Sequence, residues 1–427
     1  MRSSLCVSLS LGKFDGALAR LYSRREDISV SRSRAIRIAE KLVETFSAHP
    51  AQMKLFSAPG RTEIGGNHTD HQHGHVLCGS VDMDMLACAS PNHQREIHIL
   101  SEGYVPLTII LDNLEPMAGE HGTTSSLVRG VCAGILERGY DLQGFDACVT
   151  SNVLSGSGLS SSAAFEVLVG TILNDLCCDG KLDSVEIAKI GQRAENVYFG
   201  KPCGLMDQVG CSVGGAVAID FESPYAPIVK KCEYDFSKSG HALCIVDTCS
   251  DHADLTSDYA SIPQEMGKVA AYFGKQFLRE VTESDFYSAI PALRQSCGDR
   301  AVLRAKHFFT EDRRAVQEAR ALNDGNFSRF LALVNASGFS SSCDLQNIWS
   351  PAHPEQQAVS LALSLGRDLL DGAGAIRVHG GGFAGTVQAF VPNDKVGHFK
   401  SGMESVFGFG KCHVLHIRPV GGCVISE

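Results

Sequence analysis

Helical and strand-like patterns follow one another along this chain without a regular strand–helix–strand repeat, which predicts an α+β fold rather than a doubly wound parallel sheet. Three observations carry that reading: a charged, helix-periodic start, a strand-rich stretch over residues 76–111, and a later half in which helical and strand-like runs mix again. The chain has 427 residues, of which 44% are hydrophobic and 20% charged, the balance of an ordinary globular protein. A chain of that length can bury a large core without disulfide staples, and at roughly 150 residues per domain it suggests two or three domains.

The elements are predicted in order. Residues 15–49 read as helical, with Leu18, Leu21, Ile36, Ile38 and Leu42 set among charges. Pro50 ends that pattern, because proline cannot continue a helix. Over 76–111 the period falls to two: Val81, Met83 and Met85 alternate with Asp82 and Asp84, and residues 95–99 and 107–111 are also strand-like. Residues 126–138 return to helical spacing through Leu127, Val131 and Ile135, and 146–154 read as a strand. Asp183 with Glu186 makes a capping box for a helix running to about Tyr198. Further on, 301–335 and 355–370 look helical, and 375–391 and 412–420 look like strands. A boundary in 225–240, around Pro224 and Pro227, divides the chain into an N-terminal helical extension (1–49), a first lobe (50–232) and a second lobe (233–427).

Composition excludes several classes of function. With 38 Lys and Arg against 48 Asp and Glu the formal net charge is -10, which argues against a nucleic-acid binder. The 16 cysteines are scattered without a CxxC pair, so reduced thiols and a cytoplasmic location are expected. The first residues lack the long apolar segment of a signal peptide. No run of 18 apolar residues free of charge is present, so no membrane span is expected.

Four segments carry chemistry. The first is Ser155-Gly156-Ser157-Gly158-Leu159-Ser160-Ser161-Ser162-Ala163-Ala164, between a strand-like run and an amphipathic one. Glycines let a backbone approach a ligand closely, and the serines fall in the first helical turn, where N–H groups lack partners and the dipole favours anions. That is a recipe for a phosphate site, although it is not a Walker A loop and taken alone fits a serine-rich cap. The second is Ala58-Pro59-Gly60-Arg61, followed by Gly65-Gly66-Asn67-His68-Thr69-Asp70-His71-Gln72-His73-Gly74-His75. Asp70 suits the vicinal hydroxyls of a sugar, and Arg61 suits developing negative charge. The four histidines match no metal-binding spacing, and a substrate-facing or solvated loop is the better reading. The third is Glu195, then Gly200-Lys201-Pro202-Cys203-Gly204-Leu205-Met206-Asp207-Gln208, where Asp207 could equally cap a helix and Glu195 lie on a solvated face. The fourth, His379-Gly380-Gly381-Gly382-Phe383-Ala384-Gly385-Thr386, could be a tight hairpin.

In this order and at these separations the four segments resemble those of the galactokinase branch of the GHMP family of small-molecule kinases, over about residues 50–425. The family's sugar signature, roughly Gly-Arg-x-Asn-Leu-Ile-Gly-Glu-His-Thr-Asp-Tyr, is matched by Gly60-Arg61-Thr62-Glu63-Ile64-Gly65-Gly66-Asn67-His68-Thr69-Asp70-His71. The Gly-Leu-Ser-Ser-Ser-Ala motif is intact at Gly158 to Ala163, and Cys-Gly-x-Met-Asp-Gln at Cys203 to Gln208. The glycine motif is nearly intact, with Ala384 in place of a glycine. The resemblance implies a two-lobed fold, ribosomal-protein-S5-like in the N-terminal lobe and ferredoxin-like in the C-terminal lobe, with the active site between them.

It also implies roles. Asp207 and Arg61 match the catalytic pair. Asn67, His68, Asp70, Gly204 and, on a looser alignment, Tyr259 match sugar contacts. Gly156, Ser157, Gly158, Leu159, Ser160, Ser161 and Ser162 match the ATP triphosphate loop, and Ser162 and Glu195 the Mg²⁺ ligands. The implied reaction is in-line transfer of the ATP γ-phosphoryl group to the anomeric hydroxyl of galactose or a closely related hexose. The implied partner is a small-molecule sugar, with a monomer favoured. Departures lie on the sugar side: Asn67 replaces a glutamate, His71 a tyrosine, and Asp251 a residue that is basic in many relatives. They leave open a 1-kinase for a C6-modified sugar such as galacturonate, or a non-catalytic sugar and ATP sensor on the same fold.

Overall fold

The computed structural model describes residues 4–154, 158–224, 226–250 and 255–426. Two sheets organise them. The first has eight strands: β1 (Lys54–Gly65), β2 (His75–Pro91), β3 (Glu96–Ser101), β4 (Leu107–Ile110), β5 (Phe145–Ser151), β6 (Ala216–Asp220), β7 (Ile228–Lys231) and the chain's last strand. The second has four: β8 (His241–Asp247), β9 (Ala375–His379), β10 (Thr386–Pro392) and β11 (Cys412–Leu415), in the order β11-β8-β10-β9. The last strand, β12 (Cys423–Ile425), crosses back to pair with β1, so the last strand joins the first in one ladder. The mixture of parallel and antiparallel pairs, with β3 parallel to β5 and the others antiparallel, is that of an α+β fold.

The long β1–β2 ladder is antiparallel and shifts register between Pro59 and Arg61 and again between Glu63 and Gly65. Such irregularities bend a strand and re-aim a side chain, and these two flank Arg61. Helices cover both faces of the first sheet. On one lie α1 (Ser4–Ser10), α2 (Asp15–Ala19) and α3 (Arg25–Phe46), whose Leu9, Leu18, Ile38 and Leu42 are buried with Leu55, Leu86 and Cys88. On the other, α4 (Thr124–Glu137) and α5 (Ser161–Cys177) bury Val128, Val131, Leu168 and Ile172 with Phe56, Ala87 and Val149.

Covering both faces changes what the alternation over 81–85 means. A period of two ordinarily marks a strand wet on one side. Here Asp82 is buried and Asp84 is fully buried. Asp84 is matched by the helical extension itself: Arg34 Nη1 donates to its Oδ1 at 2.8 Å and Tyr22 Oη to its Oδ2 at 2.5 Å. Ser57 also donates to it, and Arg418 Nη1 lies 3.4 Å away.

The remaining helices are α6 (Ser184–Arg193), α7 (Met206–Ser212), α8 (Thr256–Tyr272), α9 (Glu283–Ser296), α10 (Asp299–Asn323), α11 (Phe327–Ser340), α12 (Ala358–Leu370) and α13 (Val396–Phe407). Asp183 caps α6 as expected, accepting from Val185 N and Glu186 N, but the reciprocal half of the box is absent because Glu186 is held by Arg138 and Lys189. The helical run over 301–335 is two helices, broken at Gly325 with φ near 68°. The run over 375–391 is the hairpin β9–β10. Helices α8 and α9 carry internal prolines, Pro263 and Pro291, and the sequence pattern does not predict them. Among the described residues no helix is long and apolar enough to cross a membrane.

Candidate active site

The chain leaves β5 and turns into α5 through the glycine–serine segment. Of the expected phosphate-loop residues, Gly156 and Ser157 lie outside the described residues. Gly158 has φ near 73° and Ser160 near 56°, a left-handed pair that folds the chain tightly before the helix starts. Ser160 stands at the N-cap yet makes no side-chain cap bond. Its hydroxyl instead donates to Asp207 Oδ2 at 2.5 Å. The leading N–H groups of α5 are therefore not closed by their own cap, the arrangement in which a helix start accepts an anion.

Asp207 sits in the first turn of α7. Arg61 meets it from β1: Nε donates to Oδ1 at 2.9 Å and Nη2 to the same oxygen at 2.7 Å, while Nη1 donates to the Gly158 carbonyl. Close packing of α7 on β1 makes this possible, since a Cβ at Gly210 would come within 2.8 Å of Arg61 Cβ. Burial on its own would raise the Asp207 carboxyl, but the Arg61 guanidinium and the Ser160 hydroxyl outweigh it and hold the group below the usual range. Burial opposes the charge on Arg61 too, and Asp207 more than restores it. The pair is ionised on both sides.

Glu195 lies in a π-helical turn, Ala194–Phe199, that interrupts the helix after α6. Such turns cluster at functional positions because they re-aim side chains. Glu195 is 1% exposed, and its Oε1 accepts from Ser162 Oγ at 3.1 Å and from Lys201 Nζ at 3.0 Å. Its Oε2 accepts from Gln208 Nε2 at 2.9 Å and Cys203 Sγ at 3.1 Å. Gln208 Nε2 also donates to Glu166 at 3.0 Å, and burial followed by the nearby Glu195 charge pushes the Glu166 carboxyl far up. A carboxylate and a hydroxyl oxygen beside a helix start form a donor set that suits a hard divalent cation.

The sugar-signature loop joins β1 to β2. Asp70 is partly exposed, and its Oδ2 lies 3.3 Å from where a Cβ on Gly204 would stand, so glycine there keeps the space beside the carboxylate open. Tyr259 on α8 packs over the loop: its ring centroid is 4.9 Å from that of His68, and its hydroxyl is 3.5 Å from His71 Nε2. The Gly380–Gly382 turn permits this, since a Cβ on Gly381 would fall 2.2 Å from the Tyr259 ring. His68 Nε2 donates to the Gly381 carbonyl at 2.9 Å, and burial lowers its pKa to about 3, so the ring is neutral. His73 stacks on Phe277 at 3.7 Å, and His75 is held by Asp312 and Asp220.

Asn67 departs from expectation. It is fully buried, and its side chain is consumed by protein partners. Nδ2 donates to Glu63 Oε1 at 2.9 Å and to the Gly380 carbonyl at 2.7 Å. Oδ1 accepts from Asn347 Nδ2 at 2.8 Å and Ser341 Oγ at 3.3 Å. Nothing of the amide is left to face a sugar. The family signature has asparagine where this chain has Glu63 and glutamate where it has Asn67, and here the exchanged residues are bonded to each other.

The structure thus gathers Arg61, Ser160 and Asp207 into one knot, sets Ser162 and Glu195 against each other, and lines Asp70, His68, Gly204 and Tyr259 along the loop. Sequence reading misses Lys201 on Glu195, although it lies inside a quoted motif. It also misses His379, whose ring lies 3.2 Å from where a Cβ on Gly158 would stand and bonds Thr62 and Thr386. Glu166 pairs with Gln208 across 42 residues, and no local spacing signals that.

Comparison with known proteins points to one family. Residues 40–91 match the galactokinase galactose-binding signature and residues 126–215 the GHMP kinases N terminal domain. The chain is 30% identical to a galactokinase of Streptomyces coelicolor over 377 residues, covering 87% of this chain and 92% of that one. It is 30% identical to a galactokinase of Clostridium tetani, covering 82% and 86%. The Lactococcus lactis galactokinase complexed with galactose superposes with a TM-score of 0.73 at 26% identity, covering 90% of this chain and 97% of that one. The mevalonate kinase of Methanococcus jannaschii, at 14% identity and a TM-score of 0.61 over 85% and 98%, shares the fold.

Proposed function

This chain belongs to the galactokinases of the GHMP kinase family, and on that premise we propose how its own residues transfer the γ-phosphoryl group of ATP to the C1 hydroxyl of galactose. Phosphoryl transfer asks for positioning and charge neutralisation more than for covalent chemistry. Asp70 receives two ring hydroxyls of the sugar, and Gly204 leaves the room for them. Tyr259 and His68 close the apolar side of the ring.

Asp207 stands where the C1 hydroxyl arrives. Because Arg61 keeps it ionised, it orients that hydroxyl and accepts its proton as the bond to phosphorus forms. The depressed pKa makes it a weak base, so proton acceptance comes late, when the hydroxyl has become acidic by bonding to phosphorus. Arg61 also faces the charge that develops on the transferring group. The amides of residues 160–162 hold the triphosphate. Ser162 and Glu195 would hold Mg²⁺, which when bound neutralises the β- and γ-phosphates.

The observation that carries this reading is the Arg61–Asp207–Ser160 knot, which joins the sugar loop's strand, the base and the phosphate helix in one set of hydrogen bonds. The test is ADP release measured over a panel of hexoses, with ³¹P NMR of the product. Galactose should be turned over to an anomeric phosphate. A product phosphorylated at C6, or no ADP release above the sugar-free blank, would overturn it. The knot also favours an enzyme over a sugar and ATP sensor, because a sensor needs no ionised carboxylate at the reacting hydroxyl.

A further inference from the structure

The Glu63–Asn67 contact lies in a buried junction where five separate segments meet. Asn67 belongs to the sugar loop and Glu63 to β1. Gly380 belongs to the β9–β10 turn, Ser341 and Asn347 to the segment after α11, and His307 and Glu311 to α10. The backbone of Asn67 is held as firmly as its side chain: His307 Nε2 donates to its carbonyl at 3.0 Å, and its N–H, with that of Gly66, points to Glu311 Oε1 at 3.4 and 3.1 Å. Asn67, His307, Glu311, Ser341 and Asn347 are all 0% exposed. On the other side Arg377 Nη2 donates to Glu63 Oε1 at 3.0 Å, and Nη1 donates to the Ile64 carbonyl at 2.7 Å.

We propose that Glu63 and Asn67 act as one coupled positioning pair that sets the sugar loop, and with it Asp70, against Asp207. Neither side chain is a sugar contact. The pair needs one carboxylate and one carboxamide: the amide donates to the carboxylate and to a carbonyl, and its oxygen takes two further donors. Exchanging the two groups keeps one donor facing one acceptor between the positions, and it gives up the bond to the Gly380 carbonyl and the charge that faces Arg377. Two carboxylates would face each other without water to screen them, beside the carboxylate of Glu311. The next residue, His68, has φ near 60° and Gly66 has φ near 83°, so a displaced Asn67 side chain would be felt directly in the turn that presents Asp70. None of the hydrogen bonds of the pair reaches the described residues of the phosphate loop, so its effect falls on the sugar and not on the nucleotide.

This inference rests on galactose being the acceptor, and the experiment keeps the two apart. Wild type, Asn67→Glu, Glu63→Asn and the double variant Glu63→Asn/Asn67→Glu are compared by KM for galactose, KM for ATP and Tm. Asn67→Glu should raise the galactose KM by about tenfold or more with the ATP KM within about twofold, and the double variant should bring the galactose KM back to within about threefold of wild type. A wild type without galactose turnover overturns the function. The pair can still be judged then, because the Tm values form their own cycle in which the double variant should be more stable than the sum of the single changes predicts. Additive losses in both Tm and galactose KM would overturn the pair, as would equal rises in the two KM values. Where Asn67→Glu does not fold, a folded double variant with near wild-type galactose KM supports the pair, and a double variant that is also unfolded overturns it.

Discussion

One oxygen of Asp207 takes both Nε and Nη2 of Arg61, at 2.9 and 2.7 Å, and the other takes the Ser160 hydroxyl at 2.5 Å. A carboxylate so surrounded is fixed in orientation as well as in charge. Asp207→Asn keeps the size but loses the charge and turns one of the two accepting oxygens into a donor. It should lower kcat at least about 100-fold, in line with the loss of a positioned base, while nucleotide binding measured by calorimetry stays near wild type. A mere helix cap would respond with about 1 kcal/mol of lost stability and unchanged turnover.

Arg61→Met tests the electrostatics of the same pair. Burial alone raises the Asp207 pKa, and Arg61 reverses the sign. In wild type the acid limb of kcat/KM from this group should therefore lie below the ordinary carboxylate range. In Arg61→Met it should move to higher pH, on top of a drop in rate. Stability follows the same sign. A carboxylate with a depressed native pKa contributes stability that is fully present above its unfolded value and lost as pH falls through the native one. The variant should lose that contribution, leaving its Tm less sensitive to acidification than that of wild type.

The fold class and most residues of the candidate site are legible in the sequence because they reside in short, contiguous segments. Gly158 to Ala163 shows a turn feeding a helix, and the Asp207 segment stands out for its glycine and carboxylate. Arg61 and Asp207 are 146 residues apart, and only the resemblance to a family joins them. Asn67 misled for the opposite reason. In sequence it is a polar residue in a substrate-like loop, and its burial depends on Asn347 and Ser341, which are 280 and 274 residues away. The alternation over 81–85 predicts a strand, and residues 75–91 form β2, while its second buried face depends on the helical extension covering it. Pro263 and Pro291 hid two helices, since proline inside a helix is destabilising on its own and is tolerated only where tertiary packing compensates.

Lys201 shares Glu195 Oε1 with Ser162. A cation there competes with a divalent ion for the same oxygen, because both cannot have it at full strength. Lys201→Met should tighten binding of Mn²⁺ to the nucleotide-free protein by severalfold, read by titration calorimetry or by the Mn²⁺ electron paramagnetic resonance signal. The Mg²⁺ concentration for half-maximal activity should fall with it. Unchanged or weakened Mn²⁺ binding would mean that Lys201 does not compete for the carboxylate.

The helical extension forms a buried charge pair with β2, and that decides what removing it does. Arg34, 6% exposed, donates to Asp84, which is 0% exposed. Arg418, Tyr22 and Ser57 complete the set around the same carboxylate. Burial opposes ionisation of Asp84, but Arg34 and Arg418 outweigh it and hold its pKa below the usual value. Arg34→Met strands part of that charge in a dry site, a change that costs about 3–5 kcal/mol in buried pairs, and Tm should fall accordingly. Deleting residues 1–49 removes Arg34 and Tyr22 together and also bares Leu55, Leu86 and Cys88. The truncated chain should not yield a folded, monodisperse protein. Asp84→Asn tests the cause: without a carboxylate to neutralise, Arg34→Met should cost less in that background than in wild type. If Arg34→Met instead costs the same in both backgrounds, the extension is held by apolar packing alone and the charge pair contributes nothing of its own.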